Sequence, residues 1–254
     1  IENPTPLQQK VLDLDISQQG PQLFILEDVT GAGKTEAALI LAHRLIAAGK
    51  AQGLFFGLPT MATANAMYDR LVKTWLAFYS PESRPSLVLA HSARTLMDRF
   101  NESLWSGDLV GSEEPDEQTF SQGCAAWFAD SNKKALLAEI GVGTLDQAMM
   151  AVMPFKHNNL RLLGLSNKIL LADEPATSLD PVTGRQILTL LKEIQKKDGV
   201  TILMNSHNLE FSQEFSDRII GLKDGNVVFD GTPSEMNEEI LRNIYLSLED
   251  SHLS

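Results

Sequence analysis

The chain is poor in cysteine, in aromatic residues and in positive charge. Cys124 is its one cysteine, which rules out an internal disulfide and leads us to expect a reducing compartment, the cytoplasm. Aromatic residues are 7% of 254 residues, and a hydrophobic share of 43% is ample for a core. Lysine and arginine number 21 against 33 acidic residues, a formal charge of −12. Strong nonspecific nucleic-acid binding needs a basic footprint that this balance does not offer. No apolar run approaches the ~20 residues of a membrane span. His43, His91, His157, His207 and His252 show no ligand spacing, so no zinc site is expected. The first residue is Ile1, and no leader is visible, which reads as a processed or cut-out piece.

What the sequence does contain is an apolar run closed by a glycine-rich loop. Leu23 to Glu27 reads as a strand, and the helix-forming run Glu36-Ala37-Ala38-Leu39-Ile40 follows Thr30-Gly31-Ala32-Gly33-Lys34-Thr35. Strand, loop and helix in that order are what a phosphate-binding P-loop requires. Gly31 and Gly33 let the backbone N–H groups converge on a polyphosphate at a helix N-terminus. Lys34 is placed to reach the β- and γ-phosphates, and Thr35 to ligate Mg²⁺. Thr30, Gly31, Ala32, Gly33, Lys34, Thr35 and Glu36 are therefore the candidate nucleotide-binding residues, with ATP and Mg²⁺ the expected cofactors. Asp28 stands where the strict pattern has its first glycine. A second apolar strand, Lys168 to Ala172, delivers Asp173 and Glu174 at its end. P-loop enzymes use the first such acid for Mg²⁺ and often the second to orient the attacking water.

Other segments place these motifs. Pro4-Thr5-Pro6-Leu7-Gln8 precedes a helix. Gln8 is either part of a proline-bounded helix entry or a ligand for the adenine edge. A helix from Thr35 to about Ala48 should stop at Gly49. Leu54 to Leu58 is a buried strand, followed by Pro59-Thr60 and a helix through Leu76. Leu87 to Ser92 is a third strand, and Ile140-Gly141-Val142-Gly143-Thr144 leads into another helix. Thr60 and Thr144 can each cap the helix that follows, and the Pro59-Thr60 and Val142-Gly143-Thr144 segments also resemble those with which superfamily 2 helicases hold nucleic acid, which implies a phosphate contact for each. The acidic stretch from Gly111 to Gln122 reads as a solvated loop, and a helix is expected from about Asn132, after Trp127.

The Pro-Thr-x-Leu-Gln spacing with Thr30-Gly31-Ala32-Gly33-Lys34-Thr35 resembles the Q motif and motif I of superfamily 2 helicases, which do not demand glycine at the position of Asp28. From Asn3 to Glu174 the chain resembles the first RecA-like domain of the CRISPR-associated helicase-nuclease of type I systems, about two-thirds of its length. After Glu174 that family continues with a DExH box, whereas Pro175-Ala176-Thr177-Ser178-Leu179-Asp180 resembles the D-loop of ABC-transporter ATPases. An amphipathic helix, Arg185 to Lys197, and a strand, Val200 to Met204, come next. His207 then stands where the H-loop histidine belongs. Asp217 to Gly231 reads as a hairpin turning at Asp224-Gly225, and a closing helix, Pro233 to about Leu248, resembles the tail of phosphonate-type importer ATPases.

These resemblances imply a fusion of two P-loop families, read as engineered. The expected fold is α/β, a three-layer αβα P-loop NTPase (RecA-like) with a mainly parallel sheet and a C-terminal β-hairpin plus helix. One domain over residues 1–254 is expected, helicase-like over 1–172 and ABC-like over 173–254. The Walker B strand is expected beside the P-loop strand. The implied roles are water positioning for Glu174, γ-phosphate contact for His207 and metal binding for Thr35 and Asp173. Asp180 is either a D-loop residue or a cap ahead of Pro181. No Leu-Ser-Gly-Gly-Gln signature occurs, and the partner domains of both families are expected to be missing. The expectation is an ATP-binding monomer with slow or no hydrolysis and no membrane contact. The alternatives are an inactive structural chimera and a weak single-stranded DNA-binding module.

Overall fold

A computed structural model of the chain describes residues 4–18, 20, 22–27, 34–72, 86–90, 135–151, 159–177, 179–206, 208–223 and 226–245. In chain order the elements are α1 (Pro6–Asp13), β1 (Leu23–Glu27), α2 (Lys34–Ala47), β2 (Gly53–Leu58), α3 (Met61–Leu71), β3 (Leu87–Ala90), β4 (Ile140–Thr144), α4 (Leu145–Met149), α5 (Asn159–Leu165), β5 (Lys168–Asp173), α6 (Pro181–Asp198), β6 (Thr201–Ser206), α7 (Leu209–Phe215), β7 (Arg218–Lys223), β8 (Asn226–Gly231) and α8 (Glu238–Tyr245). Strands and helices are interleaved along the chain, as the α/β expectation requires. The chain forms two compact units, one of Ile1–Leu45 with Ala172–Ser254 and one of Ile46–Leu171.

In the first unit β1 runs parallel to β6 on one side and to β7 on the other, and β8 closes the edge antiparallel to β7. Both edges of β1 are thus taken, and the Walker B strand β5 is not its neighbour. The strand that follows the crossover, β6, stands there instead. This corrects the expected order, and a strand's capacity for two hydrogen-bonded neighbours is the reason. The strands are apolar through their middles: Leu23, Phe24, Ile202, Leu203, Ile219 and Ile220 are all buried. Outside the sheet, Thr5 and Gln8 form a capping box at the start of α1. Arg44 of α2 donates to the carbonyls of Val11 and Leu14 at 2.7 and 2.8 Å, satisfying acceptors the helix end leaves open.

Two helices of this unit differ from expectation. α6 begins at Pro181, four residues earlier than Arg185, because Asp180 accepts from the N–H groups of Val182 and Thr183, both at 3.0 Å. Pro at the first helical position completes that start. The closing helix is interrupted. Pro233–Glu235 form one 3₁₀ turn, the chain extends at Met236, and α8 restarts where Asn237 accepts from the Ile240 N–H at 2.9 Å. Burying Met236 with Ile219, against Val228, Phe229, Ile240 and Leu241, requires the break.

In the second unit the strand order is β3-β4-β2-β5, β5 belonging to it as far as Leu171, with β4 parallel to both β3 and β2. Every residue of β2 is buried, Phe55 and Phe56 fully, as befits a strand covered on both faces. Gly143 pairs with Ala90, and a Cβ there would stand 2.2 Å from the Ala90 carbonyl oxygen. At the start of β3 the Glu139 carboxylate accepts from the N–H of Ser86 at 3.0 Å and from its hydroxyl. The expected continuation of α3 to Leu76, the acidic 113–117 stretch, Trp127 and the helix from Asn132 to Lys134 lie outside the described residues.

Candidate functional site

The ends of β1 and β6 are level, because the two strands pair in register from Leu23 with Ile202 to Glu27 with Ser206. β1 ends at Glu27, and α2 resumes the described chain at Lys34. Thr30, Gly31, Ala32 and Gly33 lie outside the described residues, as does His207. Lys34 is 8% exposed and sits in the first turn of α2 with Thr35 and Glu36, both half-buried. An acidic residue is favourable at that end of a helix. Gln8 lies in the same unit, where its Oε1 accepts from the Thr5 N–H at 3.1 Å. That is the helix-entry role.

Asp173 ends β5, and one residue of β6 holds both acids of this edge. The side chain of Asn205, 0% exposed, donates from Nδ2 to Asp173 Oδ1 at 2.6 Å. Its carbonyl accepts from the Glu174 N–H at 3.1 Å. Glu174 then turns into the left-handed region with a φ of 50°. Its carbonyl accepts from the Thr177 N–H at 3.1 Å and its Oε2 from the Thr177 hydroxyl at 3.2 Å. A cavity of about 290 Å³ opens beside it, lined among others by Glu174, Thr177, Met204, Ser206 and Phe211. Asp180, at the far end of this turn, is the N-cap of α6, and its hydrogen bonds from Thr183 and Val182 hold its carboxyl below the usual range. Asn205 was not singled out from the sequence. Its only signal there is a polar residue ending an apolar strand.

Thr60 and Thr144 belong to the second unit. Thr60 is occupied as the cap of α3: its hydroxyl oxygen accepts from the Thr63 N–H at 3.2 Å. Thr144 occupies the N-cap position of α4 without a side-chain cap hydrogen bond. Behind it, buried Arg161 donates to Gln147 Oε1 at 2.9 Å and Gln147 donates to Asp146 Oδ2 at 2.8 Å. Burial pushes the Arg161 guanidinium down from its usual pKa, against the opposing pull of Asp146. This network, too, was not read from the sequence.

No protein-family model matches the chain. The CRISPR-associated endonuclease/helicase Cas3 of Escherichia coli (strain K12) is 35% identical over 212 residues, 82% of this chain and 22% of that protein. A crystal structure of T. fusca Cas3 with ATP superimposes with a TM-score of 0.63 at 31% identity, covering 85% of this chain and 22% of that one. The phosphonates import ATP-binding protein PhnC of Thiobacillus denitrificans is 49% identical over 85 residues, 34% of this chain and 33% of that protein. The pattern is chimeric.

The chain is thus related to the P-loop ATPase domains of Cas3 helicases and of ABC import proteins. It spans about a fifth of the Cas3 relatives and a third of PhnC. Shares of 82% and 34% cannot both fit in one chain without common residues, so the two likenesses overlap. The Cas3 likeness runs further than the two-thirds expected from the motifs.

Among the described residues no three His, Cys, Asp or Glu side chains group to hold a metal, and no helix is long and apolar enough to cross a membrane. An all-protein cage for a cation is therefore not what this unit offers among those residues. The two metal-binding candidates of the sequence, the Asp173 carboxylate and the Thr35 hydroxyl, both carry hard oxygen donors. A Mg²⁺ ion suits such a set, because it takes one or two protein oxygens and fills its octahedron with phosphate oxygens and water. The buried Oδ1 of Asn205, which has no hydrogen-bond partner among the described residues, adds an acceptor beside that carboxylate.

Proposed function

We propose that this chain is an ATP-binding P-loop domain, an engineered helicase/ABC-ATPase fusion that binds ATP with Mg²⁺ and hydrolyses it slowly or not at all. In this reading residues 1–172 and 173–254 serve one domain. The loop Thr30 to Gly33 cradles the phosphates, Lys34 neutralises the β- and γ-phosphates, and Thr35 and Asp173 hold Mg²⁺. The ion screens phosphate charge when bound. Glu174 orients water, His207 contacts the γ-phosphate, and Gln8 offers its amide to adenine. The chain acts as a cytoplasmic monomer.

One observation carries the reading. Asn205 has Leu26 of the P-loop strand as its register partner and Asp173 as its hydrogen-bond partner. The phosphate-loop edge and the acidic edge are therefore joined within one unit, which also carries Lys34 and Thr35. The likeness to Cas3 solved with ATP supports the nucleotide. Slow turnover is supported by the absence of a Leu-Ser-Gly-Gly-Gln stretch, which ABC ATPases need from the opposing subunit.

Thermal melting tests it. ATP with Mg²⁺ at 100 times its Kd should stabilise the protein by about 2.7 kcal/mol, roughly 5–11 °C for a domain of this size. Lys34→Ala should remove the shift. An unchanged melting point with saturating ATP, in a protein with native circular dichroism, leaves the inactive structural chimera as the answer.

A second reading is favoured by Thr144, whose hydroxyl makes no cap hydrogen bond: weak binding of single-stranded DNA through Thr144 and Thr60. The charge of −12 opposes it. Fluorescence anisotropy at low salt with no binding tighter than about 100 µM, the weak end of nonspecific affinity, rejects it.

A further inference from the structure

Among the described residues, Asn205 is the one polar side chain buried to 0% exposure at the acidic edge. It lies on β6 directly after Ile202, Leu203 and Met204, all fully or almost fully buried. An aliphatic side chain would continue that run with no polar group to satisfy. The amide instead meets only half of its needs in the protein. Nδ2 donates to Asp173 at 2.6 Å, while Oδ1, buried, accepts from no described residue. Turning the amide over does not help, since Oδ1 would then face the Asp173 carboxylate, acceptor against acceptor. The donor end is thereby locked on Asp173, and the acceptor end must point elsewhere. A buried acceptor left unmet costs free energy, and such groups in folded proteins are normally matched by a donor.

The donor that fits is water. A small donor can reach a buried oxygen beside a carboxylate, and a Mg²⁺ ion held by Asp173 keeps several waters whose hydrogens point outward. We propose that Asn205 is a positioning residue of the metal edge. Its Nδ2 fixes Asp173 in the orientation that ligates Mg²⁺, and its Oδ1 accepts from a water in the ion's hydration shell. This rests on the ATP·Mg²⁺ reading above. The same residue's carbonyl holds the Glu174 N–H, so one position on β6 sets the directions of both acids. Outer-shell partners of this kind orient the ligand and raise metal affinity.

The test is the affinity of the 254-residue chain for a fluorescent ATP analogue, measured in Mg²⁺ and in EDTA, for wild type, Asn205→Leu and Asn205→Val. Urea melts without nucleotide check that each variant folds, and the valine variant, which suits a strand, covers the case where leucine does not fit. Expected is a wild type that binds more tightly with Mg²⁺. In the variants that advantage should shrink roughly 10- to 100-fold, the usual loss for an outer-shell partner, with the EDTA affinity unchanged. A folded variant that keeps the full Mg²⁺ advantage overturns the proposal, as does one whose two affinities fall together, the mark of a merely structural role. A wild type that binds ATP equally with and without Mg²⁺ overturns it while leaving nucleotide binding intact. A wild type that binds no nucleotide at all removes the ATP reading and this inference with it.

Discussion

The Glu174 N–H donates to the Asn205 carbonyl at 3.1 Å, and at Glu174 the backbone turns left-handed, with a φ of 50°. It is the one non-glycine residue with positive φ among those described. The hydrogen bond and the following Thr177 bonds hold it in a conformation that costs an L-residue about 1–2 kcal/mol. Glu174→Gly should therefore be more stable than Glu174→Ala by about 1 kcal/mol, read from urea midpoints at constant m-value. Equal stability of the two variants would show that this turn carries no strain.

Lys168 buries its side chain at the start of β5, 7% exposed, with Nζ donating to the Leu136 carbonyl. Burial pushes its pKa down to about 7, opposed by the Glu139 charge. The unfolded chain holds this proton up to its ordinary pKa of 10.5. Between about pH 7 and 10.5 the unfolded state therefore binds more protons, and stability rises with pH. Wild type should gain stability relative to Lys168→Met across that window, by up to about 1.4 kcal/mol per pH unit. Melts of both proteins at pH 7, 8 and 9 check it, and parallel curves would refute it.

Gln147 is the described hydrogen-bond acceptor for the buried Arg161 guanidinium, at 2.9 Å. Gln147→Ala would leave that donor unmet, at a cost of about 1–3 kcal/mol. Gln147→Glu, which keeps an acceptor in place, should lose less. Chemical denaturation ranks the three proteins, and an alanine variant as stable as wild type would show that Arg161 finds another acceptor.

Gly143 faces Ala90 across the β3–β4 ladder, where a Cβ would stand 2.2 Å from a backbone carbonyl oxygen. A backbone atom cannot rotate away as a side chain would. Gly143→Ala should cost about 1–3 kcal/mol, the usual range for overpacking, whereas Gly20→Ala, with open space around it but a φ of 87°, should suffer from backbone strain alone. Thermal melts compare the two.

Much of the fold was legible in short windows of sequence. β1, β2, β4 and β5 are apolar runs whose ends are marked by glycine, proline or acids, and the structure places them within a residue or two of the expected bounds. Gly49, with a φ of 72°, ends α2 as its position suggested. The start of α6 was also present in the sequence as Asp180-Pro181, and of the two roles open to Asp180 the structure shows the cap. The break at Met236 was not legible, because it answers to the hydrophobic cluster under β7 and β8 rather than to helix propensity.

The sequence by itself determined the glycine-rich motif, the acidic strand end, the hairpin with its trailing helix and the two ancestries. Each is written in residues a few positions apart, where turn chemistry and apolar periodicity act. Only the tertiary structure decided that β6 rather than β5 flanks β1, that Asn205 is the residue that grips Asp173, and that Lys168 is buried with its amine against Leu136. Those outcomes join positions about 30 or more residues apart in the chain, nearly 180 for β1 and β6. They are settled by strand register and by which side chains burial leaves with a partner, and no local pattern encodes either.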